Sequence, residues 1–232
     1  MLSTIRHPKI VMFLGATLSP LCLVMEFCRY GSLYSVLRRA RNGDDAIPTL
    51  TWTRKLSMVH DAAQGLLFLH SKGAIHADLK SPNLLVDSSW TVKVTDFGLA
   101  ALPAQDTQLT QSIMTNPRWT APEVLDGQRP SFAADIYALG IVMYEVLTLQ
   151  EPFGELTPVQ VISRVLINKQ RPPLPEEGDA LYQHPGADRF VALMQRCWDM
   201  DPGKRPSMEE VEQEMRCVCC VQVVVCAGLF PL

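Results

Sequence analysis

Residues 131–149 read SFAADIYALGIVMYEVLTL, apolar on nearly every side of a helical wheel. A helix without a polar face has to be surrounded by protein, so this segment predicts a buried central helix on which the rest is built. Asp135 is out of place inside it, because a buried carboxylate needs firm hydrogen-bonding partners. Neighbouring segments supply the surround. Trp52, Leu56, Val59, Ala63, Leu66 and Leu67 mark one face of a long amphipathic helix, with Thr51 as its N-cap and Gly73 at its left-handed close. Further helices are expected over 158–168, 188–200 and 207 to about 216. Two short β-rich pieces, 83–86 and 91–95, flank a turn at Asp87-Ser88-Ser89. Two buried strands, 10–16 and 21–27, meet at a turn at Ser19-Pro20. No internal repeat or long linker interrupts the chain. The pattern is α+β: one mainly helical unit with a small β part at its start.

Both ends carry segments that imitate other signals. Arg6 and Lys9 precede an apolar run as in a signal peptide, but Pro8, Gly15 and Pro20 break it and no small-residue cleavage site follows. The C-terminal CVCCVQVVVCAGLFPL is uncharged, and its 16 residues fall short of a membrane-spanning helix, which needs about 20. Its cysteines (Cys217, Cys219, Cys220, Cys226) lack the paired C-x-x-C spacing of a zinc site. A buried strand, a lipid-modified tail and non-native translated sequence all stay open there. A net charge of −3 gives no case for nucleic acid, and no Lys/Arg run marks a membrane patch apart from that undecided tail. Seven cysteines without regular spacing point to a reducing, cytoplasmic compartment.

The chemistry is concentrated in HADLKSPNLLV (76–86), followed by VTDFGLA (94–100) and TNPRWTAPE (115–123). Asp78, Asn83 and Asp96 form a set of hard oxygen ligands and a base. That set suits magnesium on phosphates, an ion that takes one or two carboxylates and keeps water and phosphate as its other ligands. Lys80 adds positive charge where a transferring phosphoryl group needs it. The two short strands would bring Asn83 and Asp96 together across a hairpin.

These three motifs, in this order and spacing, resemble the large lobe of eukaryotic protein kinases, as do the positions of Asp135, Trp198 and Arg205. The likeness runs from Leu2 to about Arg216. RHPKIV, GSLYSVL, DLKSPNLLVDSSWTVKV and TPVQVISRV are most similar to the tyrosine-kinase-like branch of serine/threonine kinases, with its Raf-like and mixed-lineage members. The resemblance implies a kinase-like α+β fold: 1–27 as the remainder of an N-lobe, 28–216 as hinge and C-lobe, and 217–232 as a Cys-rich tail. It implies ATP and Mg²⁺ as cofactors and a protein serine or threonine hydroxyl as acceptor. Asp78 would be the catalytic base, with Lys80 on the γ-phosphate and Asn83 and Asp96 on the magnesium. Met25 would be the gatekeeper, Glu26 and Cys28 the hinge facing the adenine edge, and Leu85 the residue under the base. His76 and Phe97 would stack in the regulatory spine, with Phe13 and Leu2 above them and Gly98 closing the DFG triplet. Asp135 would tie down the catalytic-loop backbone, and Glu123 with Arg205 would anchor the activation segment. These last are structural groups rather than chemical ones. KSP after Asp78 favours serine/threonine, although RWTAPE resembles tyrosine kinases and Asn116 stands where most serine/threonine kinases have threonine.

The sequence departs from the family in two places. Ala77 replaces the arginine of H-R-D, and Ala101 stands where a second basic residue often helps. Phosphorylation at Thr107, Thr110, Ser112 or Thr115 is therefore not expected to order the activation segment through charge-assisted hydrogen bonds in the usual way. The glycine-rich loop, the lysine of the third strand and the helix glutamate are also absent from these 232 residues. Most of the N-lobe is expected to be missing, with weak ATP binding and with Leu2, Phe13 and Val24 uncovered. The expected function is protein serine/threonine kinase, impaired in this form. The rival readings are a non-catalytic kinase-like binding module and an incomplete chain without an independent role.

Overall fold

The computed structural model describes residues 5–97, 116–176 and 180–226. Gly98, Ala101, Thr107, Thr110, Ser112, Thr115 and Leu2 lie outside them. The described chain opens with a two-stranded antiparallel hairpin, β1 (Phe13–Leu18) and β2 (Leu21–Met25). Next come β3 (Gly31–Ser32), α1 (Leu33–Arg41) and α2 (Trp52–Ser71). The strands β4 (Leu84–Val86) and β5 (Val92–Val94) pair with each other, and β3 adds to β4. Helices α3 (Pro122–Leu125), α4 (Phe132–Thr148), α5 (Pro158–Leu166), α6 (Ala187–Cys197) and α7 (Met208–Cys226) complete the order. This is a mostly helical α+β fold whose described residues hold two small sheets, the β1-β2 hairpin and the three-stranded β3-β4-β5.

The central helix forms as its composition requires. Ser131 caps α4 by accepting the Ala134 N–H, and every residue from Ala134 to Leu147 is buried. The helix ends where Leu149 turns left-handed, at φ 57°, with its N–H on the Glu145 carbonyl. Helix α2 packs against α4, α7 and β5, and α6 packs on α4. Thr51 caps α2 through the Arg54 N–H, and Gly73 supplies the positive φ that turns the chain away.

One glycine sets how closely the small sheet approaches the helices. A Cβ on Gly65 of α2 would lie 2.6 Å from the Lys9 carbonyl oxygen and 2.6 Å from Val94 Cγ2. Val94 N–H bonds the Lys9 carbonyl, Val11 N–H bonds the Val94 carbonyl, and the Lys9 ammonium pairs with Asp61 of α2. The extended segment around Lys9–Val11 is thereby stitched between β5 and α2.

Several expectations need correction. The first strand was expected at 10–16, but Ile10 and Val11 are core residues bonded to β5, and β1 begins at Phe13. The hairpin is not buried: Leu14, Leu18, Leu21, Leu23, Val24, Met25 and Phe27 are exposed. Val24 is uncovered as expected, while Phe13 is half-buried. Asn83 is not in a strand but ends a 3₁₀ turn, Ser81–Asn83, with Pro82 near its start. Helix α1 was not foreseen. The segment from Cys217 to Cys226 is helical, which removes the buried-strand alternative for it. Among the described residues no helix is long and apolar enough to cross a membrane.

Candidate active site

The loop joining α2 to β4 is held from below by the carboxylate that looked misplaced. Asp135 accepts the His76 N–H at 2.8 Å on Oδ2 and the Ala77 N–H at 2.9 Å on Oδ1, and His70 Nε2 lies 2.9 Å from Oδ2. Two backbone donors on one buried carboxylate fix the orientation of both peptides. Ala77 therefore stays at φ 66°, a left-handed conformation that costs a side-chain-bearing residue about 1–2 kcal/mol. His76 is fully buried; its Nδ1 accepts the Asp78 N–H, so the network assigns the proton to Nε2, which donates to the Thr95 carbonyl at 3.0 Å.

That clamp delivers a compact polar group. Lys80 Nζ is 2.7 Å from Asp78 Oδ2. The Asn83 amide nitrogen donates to the Asp78 carbonyl at 2.8 Å and to its carboxylate at 3.1 Å. With the nitrogen so used, the amide oxygen of Asn83 is turned away from Asp78. Thr95 N–H bonds the Asn83 carbonyl, so Asp96 emerges one residue past the point where the two segments pair. Asp96 is exposed and left-handed, at φ 57°. Asp78, Lys80 and Asn83 are thus brought into direct contact, with Asp96 adjacent through the backbone. An amide oxygen and an exposed carboxylate beside each other are hard donors that fit a magnesium ion completing its shell with phosphate and water.

The residues expected on the nucleotide side gather around the base of the hairpin and β4. Met25 is exposed on β2, with its sulfur 3.9 Å from Thr95 Oγ1. The Glu26 carboxylate accepts the Met12 N–H at 2.7 Å and the Lys93 ammonium at 2.6 Å. Cys28 is buried, and burial pushes its thiol pKa up. Leu85 is half-buried on β4 opposite Lys93, and Phe97 is half-buried against the core. The Arg205 guanidinium grips both Glu123 oxygens at 2.7 Å and also donates to the carbonyls of Asp199 and Ala133. All of its bonds are inside the protein, as a buried cation requires.

The sequence reading missed Glu145. Only 2 % exposed, it accepts Ser81 Oγ–H and Trp119 Nε1–H at 2.7 Å each. It braces the loop that carries Asp78 and Ser81 to the segment before α3. Burial raises its pKa to about 8, against the lowering effect of its two donors. The signal was available: Glu145 is the second carboxylate in the same all-apolar helix as Asp135. Ala77, Asp78, Asn116, Trp119 and Thr120 line a cleft between these two braced segments.

The comparisons with known proteins agree with this geometry. The family model described as "Protein tyrosine and serine/threonine kinase" matches residues 1–215. Serine/threonine-protein kinase CTR1 of Arabidopsis thaliana is 38% identical over 216 residues, covering 91% of this chain and 25% of that protein. Mitogen-activated protein kinase kinase kinase 7 of Bos taurus is 40% identical over 223 residues, covering 92% of this chain and 35% of that protein. The chain belongs to the protein tyrosine and serine/threonine kinase family, and its relatives place it with the Raf-like and mixed-lineage serine/threonine kinases. It spans about a quarter to a third of the length of these two relatives.

Proposed function

We propose that this chain acts as a protein serine/threonine kinase in the cytoplasm, transferring the γ-phosphoryl group of ATP to a protein hydroxyl. The observation that carries the reading is the hydrogen-bonded cluster of Asp78, Lys80 and Asn83, with Asp96 beside it. Asp78 accepts the proton of the acceptor hydroxyl as its oxygen bonds to phosphorus and the bond to ADP breaks. Lys80 places its charge beside the transferring phosphoryl group. Asn83 and Asp96 are the residues that would hold magnesium, which when bound neutralises phosphate charge. At the hinge, Glu26 N–H is engaged by the Met12 carbonyl and the Cys28 carbonyl by the Gly31 N–H. That leaves the Glu26 carbonyl and the Cys28 N–H, an acceptor and a donor, for an adenine edge above Leu85 and beside Met25. Asp135, His76, Phe97, Glu123 and Arg205 hold the scaffold.

Asp78→Asn should leave magnesium-dependent ATP binding in place and lower phosphoryl transfer to a serine peptide at least about 100-fold. Transfer unchanged in this variant would sink the reading. The second reading is a non-catalytic kinase-like binding module. Calorimetry with Mg-ATP separates the two, since a module of that kind binds none.

A further inference from the structure

The last helix runs past the kinase match. Residues 1–215 match the family, whereas α7 continues without a break to Cys226. Its first part is fastened to the core: Met208, Val211, Met215 and Val218 are buried, α7 packs along α2, and Glu212 meets His60 of α2 at 3.0 Å. Cys217 and Cys220, three residues apart, share the opposite side of the helix and are exposed. Cys219 between them is half-buried, and burial pushes its thiol up to about 11. The exposed side changes character here. Before Cys217 it carries Glu209, Gln213 and Arg216; after Arg216 the sequence holds no charged residue, and Gln222 is its one polar side chain.

Three chemistries use a pair of accessible thiols, and two of them fit this pair poorly. A structural zinc takes four ligands, and among the described residues no group of three His, Cys, Asp or Glu side chains is placed to hold a metal. A disulfide between copies needs an oxidising compartment, and the described cysteines are all free. Thioester formation needs only what is present: exposed sulfur nucleophiles on one side of an amphipathic helix, beside sequence with no charge to carry out of water. We propose that Cys217 and Cys220 are S-acylation sites, through which two fatty chains hold α7 against a lipid surface. Each cysteine sulfur attacks the carbonyl carbon of a long-chain acyl-coenzyme A, the carbon–sulfur bond to coenzyme A breaks, and coenzyme A leaves as the thiol with the cysteine's proton. No oxidant or reductant takes part. One such chain gives marginal, reversible binding, with a constant of about 10⁴ M⁻¹, and two make it stable. Helical positions 217–226 rise about 15 Å, half of the roughly 30 Å hydrocarbon core, so the fatty chains and not the helix supply the anchor. The proposal does not rest on the kinase reading.

The test is metabolic labelling of the full chain in eukaryotic cells with a long-chain alkynyl fatty acid, followed by separation of membrane and soluble fractions. The chain should take up label that neutral hydroxylamine removes, as a thioester requires, and should sediment with membranes. Cys217→Ser/Cys220→Ser should lose the label and become soluble, whereas Cys22→Ser, at another exposed thiol, should keep both. Each single variant should keep about half of the label and lose most of its membrane retention, since one chain holds only marginally. Peptide mapping of the wild type reads the sites without relying on how a variant folds. No Lys or Arg follows Arg216, so one tryptic peptide begins at Cys217 and should carry the acyl mass on Cys217 and Cys220. An unlabelled chain, a label that resists hydroxylamine, or acyl groups mapped elsewhere would overturn the proposal. So would an unlabelled dimer that dithiothreitol separates and the double variant abolishes, because the thiols would then join two copies.

Discussion

Replacing Asp135 with asparagine removes one acceptor and changes nothing in size. The wild-type carboxylate, almost fully buried, accepts the His76 N–H on Oδ2, within 2.9 Å of His70 Nε2, and the Ala77 N–H on Oδ1. An asparagine can keep its oxygen toward His70 and His76, which turns its NH₂ group toward the Ala77 N–H. One charge-assisted bond, worth about 1.5–3 kcal/mol, is then lost, and a buried donor is left facing a donor at about 1–3 kcal/mol more. The sum is about 2.5–6 kcal/mol, a large share of the roughly 5–15 kcal/mol that holds a typical domain together. Urea unfolding followed by tryptophan fluorescence reads this loss directly, and the melting temperature should fall by about 10 °C. Amide exchange localises it: His76 and Ala77 should exchange only on global unfolding in the wild type, and by local opening in the variant. A loss below about 1 kcal/mol with both amides still protected would refute the argument that this carboxylate holds the loop.

The same helix offers a pH test at Glu145. Its folded pKa, raised by burial to about 8, lies above the ordinary carboxylate value, so the native state binds the extra proton. Stability from this group is therefore complete below about pH 4.5 and declines as pH rises toward 8, with a slope of up to about 1.4 kcal/mol per unit. Glu145→Gln, whose amide can accept from Trp119 and donate to Ser81, should flatten that decline in melts taken from pH 5 to 9. Gly65→Ala forces a methyl group to within 2.6 Å of the Lys9 carbonyl; a loss of about 1–3 kcal/mol is expected in denaturant melts, and a neutral result would show that β5 and α2 can separate freely. Cys197 is fully buried with its thiol pushed up to about 12, so an aromatic disulfide reagent should label exposed Cys22 in the folded chain and reach Cys197 only on unfolding.

What the sequence disclosed depended on whether a segment's own pattern decided its environment. The central helix was legible because nineteen residues with almost no polar side chain leave no solvent face, and Asp135 stood out within it for the same reason. The cluster of Asp78, Lys80 and Asn83 was legible because its members lie within six residues, so local geometry brings them together. Helix α1 was missed although Leu33, Val36 and Leu37 repeat at helical spacing behind a Ser32 cap, because nine residues with three arginines in the last turn carry a weak apolar signal. The tail stayed open for a different reason: Val-rich sequence favours strand locally, but α7 begins with Met208, Val211, Met215 and Val218 buried on one face, and the helix continues through Cys226. Glu26 with Lys93, 67 residues apart in sequence, had no local signature at all.

At position 77 the protein uses the backbone and leaves the side chain uncommitted. The Asp135 carboxylate holds the peptide N–H, and the left-handed turn is set by that bond whatever lies beyond Cβ. Backbone geometry and side-chain identity are therefore separable at this position. A charged side chain at this position is compatible with the same loop backbone. The positive φ even makes glycine a tolerable intermediate. Position 77 is a place where a side chain can change while the loop keeps its backbone.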